Sequence, residues 1–568
     1  MFGRRFFCIY IIAVLLVLPV VSQEALKSTE EEYYDFLSLQ GFTERPTLNY
    51  RTLSDSEWNL SETVGSNSHI WRTNNLGTPF VLWQATNPAD NWFTRGINQS
   101  ITMKVYGPEW FNSFNTAAPY GQNDGALWQG RGYNTSLTGG IRFEAYGFEA
   151  TFKPQLSFSQ NMAFEIMPSA YDSEFGYFWG YTDYNGIPNS GVDAPQRFGD
   201  KPFFTFDWGD TEVRWSWYSF TIGFGTQSVW LGPAYLNPVL HSNNAATYPK
   251  LDIGLRKTSI TIPGINWYIG DIEGRIWTGY LSESKYFDND ESNNHNMIHG
   301  MALAYSPSFL PGLTISANRI CLVKWKWENL KYILPLPENT HIGEQGVGED
   351  QKMSLAADWL FPQVGLEIYG ELGIDDFVPK GFPIGYIRYP FHTMTYTVGL
   401  SKTIPISSQK QIYSVLHFEW NNTEMSQDFQ LQWPYNFGFH HQITQGYTNK
   451  GQWLGSGIGY GGNSQYLDYV IYYPKGKTKI YFTRNNPDNN YIYSKAVNAG
   501  ANKDDLEKKY FTSWKANFVF GIETLYFITP SFTINGGVGY NLIINPLYQN
   551  TSELLHNFVF NVGLKYTL

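Results

Sequence analysis

The chain has 568 residues, of which 100 are aromatic (18%) and only 16% are charged, and its net charge is -11. It has no basic stripe, which argues against a nucleic-acid partner; a mean hydropathy of -0.32 with no long apolar stretch beyond residue 22 excludes a polytopic helical membrane protein. Its 42% hydrophobic residues exclude disorder, and the dispersed apolar residues and 53 Gly leave a large β-structure, most sharply a membrane β-barrel.

Taken in chain order, the first element is an export signal. Arg4 and Arg5 precede an almost unbroken apolar run from Cys8 to Val21 that ends at Ser22. Residues 1–22 therefore read as a signal peptide cleaved after Ser22. Only Cys321 then remains in the mature chain, so an intramolecular disulfide and Cys-based zinc sites are not expected. From Glu30 to Phe42, apolar residues Tyr33, Tyr34, Phe36, Leu37 and Leu39 recur at helical spacing among acids, and Gly41 follows. This pattern predicts a short helix within a periplasmic N-terminal segment, residues 23–69.

From about Ile70 the period becomes two, and residues 70–568 are assigned to the barrel. Leu251, Ile253 and Leu255 alternate with Asp252, Gly254 and Arg256. Phe518, Phe520, Ile522 and Leu525 to Phe527 form a strand ending at Thr529-Pro530-Ser531, and Phe532 starts the next. That turn is tight, whereas Asp288 to Asn296 and Pro335 to Gln351 are long and polar. Short turns on one side and long loops on the other are the asymmetry of an outer-membrane barrel, and the available length supplies about 16 to 18 antiparallel strands. In the last segment, Phe558, Phe560, Val562, Leu564, Tyr566 and Leu568 share one face. Asn561, Gly563, Tyr566 and Leu568 fit the polar-x-Gly-x-x-aromatic-x-hydrophobic signal that the barrel-assembly machinery reads. Closure pairs all backbone groups within the hydrocarbon, and aromatic girdles would mark both interfaces with outer-membrane lipids.

Catalytic motifs are sparse. Gly455 to Gly462 has the look of a nucleotide loop without a following helix, and reads as close packing or a loop base. His295 and His299 are four apart but sit in a predicted Asn-rich loop, so no metal site and no cofactor are expected. Glu367, Glu371, Asp375 and Asp376 cluster in LEIYGELGIDD. Glu367 and Glu371 would face a polar lumen from one strand and pair with lumen Arg or Lys; paired carboxylates able to hydrolyse a glycosidic bond are the rival reading. Aromatic rings with amides nearby suit sugar binding, which makes Trp128, Trp230, Asn243 and Asn244 candidates, with interfacial or lumen packing as the plain alternative.

Several segments resemble the capsule-assembly Wzi family. They are Trp230-Leu231-Gly232-Pro233 followed by Ser242-Asn243-Asn244-Ala245 and Pro249; the NDGALWQGRG run from Asn123 to Gly132; Leu366 to Asp376; and Gly446-Tyr447-Thr448. The resemblance implies a barrel of about eighteen strands with helical periplasmic material near its N-terminus. It also implies a non-catalytic role in the outer membrane, binding or organising capsular or other surface polysaccharide at the cell exterior. A porin or solute channel is the alternative. One clear helix is found where the family type has a small bundle.

Overall fold

The computed structural model describes residues 20–23, 27–60, 69–182, 188–334, 348–375, 384, 387, 394–424, 436–492 and 511–568. Of the predicted signal peptide, residues 1–19 lie outside the described residues, and Val20–Gln23 pairs with Glu57–Leu60.

The alternating segments form eighteen antiparallel strands that close on themselves. In chain order they are β1 (Ser100–Asn115), β2 (Gly132–Ala145), β3 (Phe148–Phe152 continued by Gln155–Ser159) and β4 (Phe203–Asp207 continued by Glu212–Trp217). Next come β5 (Phe220–Gly225), β6 (Lys250–Ile262), β7 (Trp267–Ser282), β8 (His295–Pro307) and β9 (Leu313–Lys324). They are followed by β10 (Glu349–Phe361), β11 (Leu366–Asp375), β12 (Met394–Ser407), β13 (Ile412–Asn422) and β14 (Asn463–Tyr473). The wall ends with β15 (Gly476–Asn486), β16 (Ala516–Thr529), β17 (Phe532–Ile544) and β18 (Leu554–Tyr566). β18 closes on β1, with Val559 opposite Asn115 and Lys565 opposite Glu109. β1 runs on past its partner at the turn end, where Phe80–Gln84 covers it. Among the described residues no hydrogen-bonding edge is then left to face lipid.

Side-chain parity follows from the pleat. On β16 Phe520, Ile522 and Tyr526 point out, while Val519, Leu525 and Phe527 are buried inside. Outward Leu137, Leu303, Leu355, Val398 and Val538 form the apolar band. Exposed rings flank it: Tyr146, Tyr218, Trp267, Phe309 and Tyr566 near the tight turns, and Phe114, Tyr133, Trp325 and Trp420 near the long loops. These are the two girdles expected at the interfaces. No helix among the described residues is long and apolar enough to cross a membrane.

Some boundaries move. β8 begins at His295, so His295 and His299 lie on a strand and not in a loop. His299 is buried, with Nε2 3.1 Å from the Asn329 carbonyl oxygen, and His295 stacks on Tyr280. β10 begins at Glu349, inside the segment expected to be loop, of which residues 335–347 lie outside the described residues. Ile70 and Trp71 are not wall residues, because both pack against the N-terminal helix.

That helix, α1 (Thr29–Leu39), lies in the lumen at the turn end. Ser28 caps it, its hydroxyl oxygen accepting from the Glu31 amide at 3.1 Å. Glu30 and Glu32 in its first turn pair with Lys565 of β18 and Lys477 of β15, so the positive helix end is matched by carboxylates that the wall also holds. Its rings complete the seal: Tyr33 stacks on Trp71 at 4.1 Å and Phe36 on Tyr472 at 4.3 Å, over Val415, Val470, Leu525 and Phe527 of the wall.

At three positions, Gly300, Gly399 and Gly521, an inward ring packs over a glycine on the next strand. A Cβ at Gly300 would sit 1.9 Å from Trp277, its register partner, and one at Gly399 would sit 2.3 Å from Tyr369. Gly300→Ala is therefore expected to destabilise the barrel by about 1–3 kcal/mol through overpacking. The check is the temperature at which the folded, fast-migrating gel band is lost. An unchanged midpoint would show that Trp277 has room to move.

Candidate functional site

The lumen is filled from both ends. At the turn end sit α1 and residues 42–60 and 69–79. From the loop end, residues 226–249 and 436–462 fold inward, and Leu231, Val239, Leu240, Phe437, Tyr447, Leu454 and Tyr460 join Trp277, Ile298 and Ile320 of the wall in one buried cluster. Gly455 is tight packing of this plug: a Cβ there would sit 2.0 Å from the Tyr460 hydroxyl and 2.7 Å from the Val239 carbonyl oxygen.

Wall carboxylates hold the plug by its backbone. Glu419 of β13 accepts from the amides of Tyr235 (2.8 Å), Leu236 (3.0 Å) and Asn237 (2.8 Å), and also from Asn237 Nδ2 and the Tyr369 hydroxyl. Glu371 accepts from the Val239 amide at 3.0 Å. Such charge-assisted bonds are shorter and stronger than neutral ones.

The sequence candidates therefore divide. Glu367 pairs with Arg45 of the N-terminal segment, whose guanidinium also holds Asp35 and Asp358 at 2.9 Å. Asp375 binds Lys352 at 2.8 Å, as does Asp350 at 2.7 Å. Asp376 lies outside the described residues. The expectation that Glu367 and Glu371 would pair with lumen cations holds for Glu367 alone. Glu371 accepts a backbone amide through Oε2, so the two carboxylates serve different partners. Trp230 is fully buried, donates Nε1 to the Ala234 carbonyl oxygen at 3.1 Å, and carries Lys27 over its ring at 4.3 Å. It is packing, whereas Asn243 is half-buried, and its backbone carbonyl oxygen accepts from the Gly125 amide at 3.0 Å. Among the described residues no group of three or more His, Cys, Asp or Glu could hold a metal ion.

Trp128 and Asn244 have a different setting. Both line a cavity of about 830 Å³ between the loop-end plug and the wall from β14 to β18. Asn244 is fixed by the Asn123 amide and the Trp453 carbonyl oxygen, both at 3.0 Å. Trp128 rests 4.9 Å from Phe198, and its buried Nε1 has no partner. Tyr120, Tyr177, Phe178 and Trp453 add ring faces to the same cavity. Burial pushes the carboxyl of Asp124 up to about 7, opposed by a 2.7 Å bond from Gln129. It does the same to Asp488, which accepts from Tyr177 and Trp179. A concave site with several ring faces and few convergent polar groups suits a polyhydroxylated ligand. The wall contributors, such as Asn517 and Asn541, were missed by sequence reasoning. The signal was present: the parity that turns Phe518 and Phe520 outward turns Asn517 and Val519 inward.

A second cavity, about 620 Å³, opens between the N-terminal segment and the wall and is lined by Arg45, Lys257 and Asp358 among others. Gly232 to Tyr235 border this cavity and Leu236 borders the loop-end one, so a partition a few residues thick separates them.

Residues 113–323 match the family model of capsule assembly protein Wzi. No curated protein matches the sequence. Among solved structures, the fold is similar to that of Wzi from Escherichia coli, described as an outer membrane protein involved in group 1 capsule assembly and a carbohydrate-binding β-barrel. That match has 12% identity over 82% of this chain and 85% of that one, with a TM-score of 0.50. OprB of Pseudomonas putida is 10% identical over 81% of this chain and 94% of its own, at a TM-score of 0.36. OccK8 (OprE) of Pseudomonas aeruginosa is 9% identical over 82% and 98%, at a TM-score of 0.36.

Proposed function

We propose that this barrel, whose residues 113–323 match the Wzi capsule-assembly family model, belongs to that family and is a non-catalytic outer-membrane binder and organiser of capsular or other surface polysaccharide at the cell exterior. The observation that carries the reading is the loop-end cavity, where Trp128, Trp453 and Tyr177 offer ring faces beside amide groups. Pyranose C–H faces stack on such rings, and amides exchange hydrogen bonds with hydroxyls. The filled lumen favours this reading over a solute channel, whose path would run through the space that Glu419 and Glu371 close. In the same proposal the signal peptide is residues 1–22, the lumenal N-terminal segment follows it, and Asn561, Gly563, Tyr566 and Leu568 address the chain to the assembly machinery.

The experiment is binding of polysaccharide extracted from the producing strain to the detergent-folded protein, followed by tryptophan fluorescence. Wild type is expected to bind, and Trp128→Ala to lose roughly tenfold in affinity, or about 1.4 kcal/mol. Trp267→Ala, which removes an outward girdle ring, is expected to bind as wild type does. Absence of binding by wild type, with surface glycan unchanged in a deletion strain, overturns the proposal.

A further inference from the structure

The cavity's own charges bear on which saccharide it takes, an inference that rests on the proposed function. Three cations line it. Lys479 is neutralised by Glu523 at 2.8 Å. Arg131 donates to the carbonyl oxygens of Thr116 (3.1 Å) and Ala163 (2.6 Å) and meets no carboxylate among the described residues. Lys515, half-buried, also has no carboxylate partner among the described residues; the Tyr548 ring is 5.8 Å from its ammonium. Burial pushes this ammonium down, to about 8, and no acid among the described residues opposes the shift. A positive charge removed from water without a counter-ion is unfavourable, and an anion brought by a ligand relieves it.

Polar groups continue from that charge along the wall. Lys515 is two residues before Asn517 and so shares its inward face. Asn517 stands opposite Asn485 of β15, and Asn541 of β17 stands opposite Val519, giving inward amides on three adjacent strands. All three line the cavity, and the Oδ1 atoms of Asn485, Asn517 and Asn541 are buried without a partner; Asn541 is 2% exposed. Buried acceptors without donors are uncommon in folded proteins and call for a hydrogen-bonding occupant. Sugar hydroxyls are such donors.

We propose that the loop-end cavity binds an acidic saccharide, with Lys515 as the ion-pair partner of a sugar carboxylate and Asn485, Asn517 and Asn541 accepting from its hydroxyls. Five acids also line the cavity. Glu523 is occupied by Lys479, Asp488 by Tyr177 and Trp179, and Asp124 by Gln129, while Glu165 and Glu553 form no ion pair with Lys515.

The test uses the full-length, detergent-folded protein and three probes: tetragalacturonate, its fully methyl-esterified form, and monomeric galacturonate at equal carboxylate concentration. The acid tetramer is expected to bind at least tenfold more tightly than the ester. Lys515→Gln should abolish that preference while leaving ester binding intact, and Lys515→Arg should restore it. Equal binding of acid and ester overturns the carboxylate inference and leaves the saccharide reading standing. A monomer that binds as tightly as the tetramer reduces the site to a simple anion pocket and also overturns the inference. An acid preference that survives in Lys515→Gln overturns the assignment to Lys515. If no probe binds and the strain's own polysaccharide does not bind either, both readings fail.

Discussion

Glu419→Ala is expected to turn a closed barrel into a conducting one. Glu419 accepts from three successive backbone amides, Tyr235 to Asn237, at the partition between the two cavities, and only the Tyr235 amide has a second acceptor, the Tyr369 hydroxyl oxygen at 3.2 Å. Removing it leaves those donors, with Asn237 Nδ2 and the Tyr369 hydroxyl, without their buried acceptor. At about 1–3 kcal/mol for each orphaned group, with part recovered by entering water, the local loss is on the order of 5 kcal/mol. The wall strands keep their ladders, so the plug should give way before the barrel does. Planar-bilayer recording of the variant should show current steps where wild type is silent, with the fast-migrating gel band confirming that the wall is folded. Glu419→Gln keeps one acceptor oxygen and is expected to leak less. A folded Glu419→Ala barrel that stays silent would show that the partition is held by packing of the Leu231 and Leu240 cluster alone.

The second large effect is expected at Asp55. This buried carboxylate of the N-terminal segment accepts from Arg256 at 2.8 Å and Arg275 at 3.0 Å, and so fastens the segment to β6 and β7. The same guanidiniums reach Glu149 and Asp252, and Asp252 binds Arg214 at 2.6 Å, so one network ties the segment to the wall. Breaking a buried pair from one side leaves uncompensated charge, at about 3–5 kcal/mol. Asp55→Ala should therefore speed hydrogen exchange across residues 27–60 by two or more orders of magnitude while wall strands stay protected. Unchanged exchange there would mean that the aromatic stack of Tyr33, Phe36 and Trp71 holds the segment unaided. Burial works against ionisation of Asp55, but Arg275 and Arg256 outweigh it and hold the carboxyl well below the usual carboxylate range. A depressed value stabilises the folded form above the ordinary carboxylate pKa. In wild type, protection of residues 27–60 should hold at pH 5 and weaken as pH falls below about 4.

Both effects concern residues whose type was legible in the sequence but whose partners were not. The strand from Ala516 to Thr529, its turn at Pro530-Ser531 and the final strand to Tyr566 were readable because lipid imposes one chemistry on every second residue. α1 was readable from its spacing and the acids of its first turn. The inward positions were harder. Glu367 and Glu371 could be placed on the lumen side, but a polar inner face serves a water-filled pore and a plugged one equally well, since both supply hydrogen-bond partners.

The candidate site shows the same limit. Trp128 and Asn244 lie in runs already marked by type, and they do meet at one cavity; Trp230 lies in an equally marked run and is wholly buried. What separates them is the path of residues 226–249 and 436–462 through the lumen, set by bonds such as Tyr235 to Glu419, 184 positions apart. Alternation and aromatic content determined that this chain is an outer-membrane barrel, because the bilayer acts on each strand locally. Only the tertiary structure decided that its lumen is filled and where a cavity remains. Those outcomes depend on which distant segment reaches each inward carboxylate first, and a period of two carries no record of that.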